Sequence, residues 1–164
     1  MSKNIRLSGI AYESLVNGPG IRRVFFSQGC RHNCIRCFNP ETHDFNGGEL
    51  KDISSLIEDV RENPLLDGIT FSGGDPMEQA EKFMIMAKEF KSMGLNTWCY
   101  TGYRLEDILR DEVKLEFLKY IDVLVDGKFE EKLKGTNLKY KGSLNQRIID
   151  IKKTFENDCV TLIE

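Results

Sequence analysis

At 164 residues, 40% of them hydrophobic and 30% charged, the chain is long enough to bury its own core without staples. A formal net charge of −3 provides no bulk attraction to nucleic acid or to an anionic membrane surface, so neither is expected as a partner. No apolar run approaches the roughly 20 residues of a membrane span, and Met1–Arg6 lacks a basic-then-apolar leader pattern, so a cytoplasmic protein is expected.

The chain reads as one domain over 1–164, with a core of about 17–151 and a C-terminal tail at 152–164. Arg22–Ser27 has the composition of a strand and runs into Gly29 and a group of cysteines. Between Asp52 and Glu62 the apolar residues Ile53, Leu56, Ile57 and Val60 recur at helical period, and Pro64 ends the pattern. Asp67–Ser72 is the next strand and leads into Gly73-Gly74-Asp75-Pro76. Glu78–Met93 is a helix with Phe83, Met86, Ala87 and Phe90 on one side, closed by Gly94. Asn96–Tyr100 is a strand. Leu105–Tyr120 is mostly helical, with a break expected at Asp111-Glu112. Ile121–Val125 is a strand, and Ile148–Ile151 is a last one.

Alternation of strand and helix argues for a mainly parallel sheet whose ligand site lies in the loops at the carboxyl ends of the strands. Cys30–Cys37, Gly73–Pro76, Thr101–Gly102 and Asp126–Lys128 each follow a strand, so four loops are expected on one rim. About five to six strands are too few for a closed eight-stranded barrel. The expected fold is therefore α/β, a partial, open (β/α) barrel.

Five cysteines are an odd number, and three of them, Cys30, Cys34 and Cys37, fall within eight residues. Clustered thiols in a reducing compartment serve metals or catalysis more often than disulfides. Three thiolates on one compact loop suit a [4Fe–4S] cube with one iron left free of protein ligands, and such an iron can bind a substrate. The spacing also leaves zinc open, with His32 or Cys99 as a fourth ligand. Cys99, between Trp98 and Tyr100 in a strand, reads more simply as a small buried hydrophobe, and Cys159 as a free thiol. His32 and His43 read as loop residues rather than bases. No nucleophile or acid–base pair stands out.

In Ser72-Gly73-Gly74-Asp75-Pro76 the paired glycines permit close backbone approach, and Asp75 offers an acceptor for a cationic amino group. This loop, one strand after a C-x3-C-x2-C loop, resembles the radical S-adenosylmethionine superfamily. The resemblance implies one [4Fe–4S] cluster per chain, held by Cys30, Cys34 and Cys37. Its open iron would chelate the methionine part of S-adenosylmethionine while the loop at Gly73, Gly74 and Asp75 meets the amino group. Reductive cleavage would then release methionine and a 5′-deoxyadenosyl radical. Asn17-Gly18-Pro19-Gly20-Ile21-Arg22 resembles the glycyl-radical-enzyme activases of that superfamily. The segments Trp98–Tyr103, Val123–Phe129 and Gly142–Arg147 are similar to the branch that serves anaerobic ribonucleoside-triphosphate reductase.

That resemblance implies an oxidoreductase taking hydrogen from a glycine of the large reductase subunit, with a low-potential electron donor such as flavodoxin or ferredoxin. It implies a barrel of the radical S-adenosylmethionine type. It also places Arg36, Cys37 and Phe38 at the adenine pocket and Asp126 and Lys128 near the nucleoside. Arg36 stands where many members carry an aromatic, and the aromatic Phe38 follows the third cysteine instead. Activation of another glycyl-radical enzyme, such as pyruvate formate-lyase, and a zinc-binding or electron-carrier protein are the alternative readings.

Overall fold

The computed structural model describes residues 3–34, 37, 40–135 and 138–163. Its elements in chain order are β1 (Asn4–Ser14), β2 (Arg22–Ser27), β3 (Glu49–Asp52), α1 (Ile53–Arg61), β4 (Gly68–Gly73), α2 (Ala80–Ser92), β5 (Asn96–Tyr100), α3 (Leu105–Ile108), α4 (Glu112–Leu118), β6 (Val123–Asp126), β7 (Arg147–Asp150) and α5 (Ile151–Asn157). The strands form one seven-stranded sheet in the order β3-β1-β2-β4-β5-β6-β7, which is open rather than closed.

The central four strands, β2, β4, β5 and β6, are parallel, and the flanks β1, β3 and β7 join antiparallel. The expected mainly parallel sheet of five to six strands is thus corrected to a mixed sheet of seven. Three of its six junctions are antiparallel. The difference arises at the edges. In β1, Ile5 and Leu7 are buried, but register shifts after Leu7 and after Ala11 break the alternation that marks a strand in sequence. β3 is four residues long, Glu-Leu-Lys-Asp, and its charges suit an edge. The expected tail opens within α5, begun by the Asp150 carboxylate accepting from the Lys153 N–H at 2.9 Å.

Period-two alternation gives the parallel core two faces with different jobs. One row across the sheet, Phe25, Phe71, Cys99, Leu124 and Ile149, is in register and fully buried under the helices. Phe83 and Phe90 of α2 and Phe117 of α4 pack against Phe71, with ring centroids 5.1, 6.4 and 5.8 Å away. Helix placement follows the sequence: Asp52 caps α1 through the Ser55 N–H, and Asp111 caps α4 through Val113 and Lys114. That second cap is why the helix expected over Leu105–Tyr120 divides at Asp111. The opposite face carries a smaller cluster of Trp98, Val123 and Val125, with Tyr100, Tyr140 and Ile148 against it. Above that face the loops at the carboxyl ends of the parallel strands enclose a cavity.

Candidate metal centre

The cysteine loop begins where β2 ends. The Gly29 N–H donates to the Thr42 carbonyl at 2.6 Å and the Cys30 N–H to that of His43 at 3.3 Å, which ties the start of the loop to the segment beyond it. Asn33 turns the chain through a left-handed conformation (φ 52°), one that Asn tolerates better than most residues. The Cys37 N–H then closes onto the Cys34 carbonyl at 3.2 Å.

All three thiols line one cavity of about 460 Å³, within the range of small-ligand sites. Its walls also include Gly73 and Gly74 from the end of β4, Tyr100, Thr101 and Gly102 from β5, and Gly127 and Phe129 after β6. Gly73 has φ of +99°, and a Cβ there would lie 2.4 Å from the Ser27 backbone nitrogen. At Gly74 a Cβ would lie 2.5 Å from the Gly29 carbonyl oxygen. Only glycine lets this turn press against the root of the cysteine loop while leaving its cavity side bare.

Among the described residues, no three His, Cys, Asp or Glu side chains stand close enough to hold a single metal ion. Thiolates of an iron–sulfur cube bind separate irons at separate corners, and three cysteines around one shared cavity can supply them. Cys99, the alternative fourth ligand, lies in the buried row under the helices, on the other face of the sheet. Cys159 is exposed. The residues therefore fit a three-cysteine cluster.

Burial pushes the Cys30 thiol up to about 11, with Asp75 and the other two loop cysteines adding to it and a backbone N–H at His32 opposing. Cys34 is raised for the same first reason, against a hydrogen bond from the Phe129 backbone and the charge of Lys128. Without iron these thiols hold their protons at neutral pH, and ligation must release them.

The other expected site residues separate. Arg36 and Phe38 lie outside the described residues. Asp75 is fully buried and does not line the cavity; its Oδ1 accepts from the Met77 N–H at 3.0 Å and Thr101 Oγ at 2.9 Å, and its Oδ2 from Gly102 N–H at 3.0 Å. That carboxylate is occupied by the protein itself. Asp126 is likewise buried: Oδ2 accepts from the Leu105 N–H at 2.8 Å, and Arg147 clamps both oxygens at 3.0 and 2.5 Å. Lys128 is exposed and borders a neighbouring cavity of about 540 Å³ with Arg31, Tyr103 and Arg104.

The segment Gly142–Arg147 frames the loop after β6. Asn145 Nδ2 donates to the Lys128 carbonyl at 2.8 Å and Gln146 Nε2 to the Gly127 carbonyl at 2.9 Å. Two segments that stand apart in sequence are thus each other's partners. Sequence reasoning missed Tyr100, Tyr140 and Gln146 as parts of the cavity wall. The alternation of Tyr100 with the buried Cys99 was the available signal for the first.

The chain matches known proteins over most of its length. The model of the 4Fe-4S single cluster domain covers residues 16–149, and the chain belongs to that family. It belongs, further, with a group of activating proteins in that family. It is 37% identical over 139 residues to the anaerobic ribonucleoside-triphosphate reductase-activating protein of Enterobacteria phage T4, covering 81% of this chain and 86% of that protein. The protein of the same name from Escherichia coli (strain K12) is 34% identical over 142 residues, 80% of this chain and 90% of the other. That of Pasteurella multocida (strain Pm70) is 33% identical, at 82% and 90%.

Proposed function

We propose that the chain activates anaerobic ribonucleoside-triphosphate reductase by generating a glycyl radical on its large subunit, using a [4Fe–4S] cluster and S-adenosylmethionine. The observation that carries this reading is the convergence of Cys30, Cys34 and Cys37 with the bare backbone of Gly73 and Gly74 on one cavity, in a chain of this family. When bound, the reduced cluster supplies one electron to cleave the sulfonium C–S bond, and the chemistry ends with a hydrogen atom taken from a glycine Cα.

On this reading Cys30, Cys34 and Cys37 would hold the cluster and leave one iron free of protein ligands to bind the cofactor. Gly73 and Gly74 leave room for the methionine end. The family resemblance assigns Arg36, Cys37 and Phe38 to the adenine and Lys128 to the nucleoside. Asp75 and Asp126 serve by holding the rim in shape, since their oxygens are taken by neighbouring loops. The open sheet is then a partial barrel of the radical S-adenosylmethionine kind, working in the cytoplasm with a flavodoxin or ferredoxin as reductant. Among the described residues no helix is long and apolar enough to cross a membrane.

Anaerobic protein reconstituted with iron and sulfide should cleave S-adenosylmethionine on reduction. Mixed with the reductase it should give a glycyl signal by electron paramagnetic resonance, and with pyruvate formate-lyase none. Replacing any one of Cys30, Cys34 and Cys37 by Ala should lower both yields at least 100-fold, because an unligated corner exposes the cube to loss. Cleavage by a cysteine variant at the parent rate would overturn the assignment of ligands.

A further inference from the structure

His32 sits between the first two cysteines, yet its side chain is only 6% exposed. Its Nε2 lies 2.6 Å from Oδ2 of Asp75, whose side chain is 0% exposed. The same carboxylate already receives the Met77 N–H from its own loop and the Gly102 N–H and Thr101 hydroxyl from the loop after β5. The Asp75 side chain therefore joins two loops without His32; its N–H holds the root of the cysteine loop through the Gly29 carbonyl at 2.9 Å, and His32 brings in the middle of that loop.

The imidazole is packed as well as hydrogen-bonded. The Tyr103 ring meets it edge-on, with centroids 4.5 Å apart and planes at 72°. A Cβ on Gly102 would come within 2.6 Å of the ring, so only glycine admits it there. The neighbouring Arg31 reaches the same side: its Nε donates to Oε2 of Glu78 at 2.7 Å, and the Tyr103 hydroxyl donates to the other oxygen of Glu78. Both residues between Cys30 and Asn33 are thus drawn toward the glycine-loop segment.

We propose that His32 is a positioning residue: its hydrogen bond to Asp75 latches the cysteine loop to the glycine loop and sets the spacing of Cys30 and Cys34 against the cavity wall. The inference rests on the reading of Cys30, Cys34 and Cys37 as cluster ligands. Loss of an outer-shell hydrogen bond typically weakens metal holding about 10- to 100-fold. A carboxylate offers about four acceptor sites, so Asp75 can serve all three loops at once.

The test compares three variants, each reconstituted anaerobically and challenged with an iron chelator, with iron release followed by absorbance. His32→Ala should release iron about tenfold or more faster than the parent and change the line shape of the reduced cluster in electron paramagnetic resonance. His32→Gln, whose amide can reach the same carboxylate, should restore most of both. Thr97→Val removes an equally buried hydroxyl, one that donates to the Tyr120 carbonyl at 2.8 Å at the end of β5 away from the rim, and should leave the release rate within about twofold of the parent. Equal acceleration in His32→Ala and Thr97→Val would reduce the contact to general stability and overturn the latch. So would parent-like release from His32→Ala. Retention of the cluster by Cys30→Ala would instead overturn the ligand assignment, which the same measurement reads separately.

Discussion

Arg22 carries a full positive charge to a position 1% exposed, where no carboxylate lies within ion-pair distance among the described residues. Its guanidinium is instead wrapped by neutral acceptors. Nε donates to Thr70 Oγ at 2.8 Å, Nη1 to the Pro19 carbonyl at 2.8 Å, and Nη2 to the Ile69 carbonyl at 2.9 Å and to Asn96 at 2.9 and 3.0 Å. Trp98 stacks its ring 5.7 Å from the charge. Burial pulls its ionisation down to about 10, still far above neutrality. The planar fork reaches three chain segments at once, which a lysine ammonium cannot imitate. Arg22→Met should therefore cost about 3 kcal/mol or more in stability, and Arg22→Lys should recover only part of it, read from urea midpoints of the iron-free protein. Asn17–Arg22 stood out in the sequence for its resemblance, but what the structure shows is a clamp: Thr70 donates to the Asn17 carbonyl at 2.6 Å while Arg22 holds Pro19. The cysteines were legible because three thiols on one short loop form a local pattern, and the structure places all three on one cavity. Asp75 and Asp126 were visible as unusual residues, but their partners lie 26 and 21 positions away, at Thr101 and Arg147, where no local pattern points.

At the scale of elements, the parallel centre was readable because strands buried on both faces give short continuous apolar runs between glycines. The edges were not, since β1 is bulged and β3 is short and charged. One side chain shows how the bulged strand is held. Gln79, at the start of α2, accepts from the Arg6 N–H at 3.0 Å and returns a hydrogen bond to the Arg6 carbonyl at 2.7 Å. It also donates to Ser27 Oγ at 2.9 Å. Its amide imitates a strand where the helix meets β1 and β2, which is why it makes no capping bond to its own helix. Gln79→Ala strands these groups and should cost about 1–3 kcal/mol. Gln79→Glu should cost at least as much, because a carboxylate faces the Arg6 carbonyl without a proton to give. Unchanged urea slopes with lowered midpoints would show that stability, rather than compactness, was lost.

For the molecule as a whole, the core and the metal centre occupy different places. The large apolar cluster lies between the sheet and α1, α2, α3 and α4, and includes Phe25, Phe71, Phe83, Phe90 and Phe117, each fully buried. Cys30, Cys34 and Cys37 lie on the far rim, half-exposed, in a loop whose described residues contribute nothing to that cluster. A zinc finger spends its metal-binding energy on folding because it has no other core. A 164-residue chain with so large a buried cluster has core enough to fold without the metal. Removal of iron under anaerobic conditions should therefore leave the far-ultraviolet circular dichroism nearly unchanged and the thermal transition cooperative. The midpoint should fall only by the linkage that ligand binding adds to the native state. What iron removal should change is thiol accessibility. The three half-exposed rim cysteines and the exposed Cys159 should alkylate in the folded iron-free protein, Cys30 and Cys34 more slowly because burial raises their thiols. Cys99, whose thiol is held well above its usual range by complete burial, should react only on unfolding. Mass spectrometry after a timed pulse of alkylating agent, with and without iron, distinguishes the two classes. Collapse of the circular dichroism on chelation, or equal labelling of Cys99, would show that core and centre are not independent.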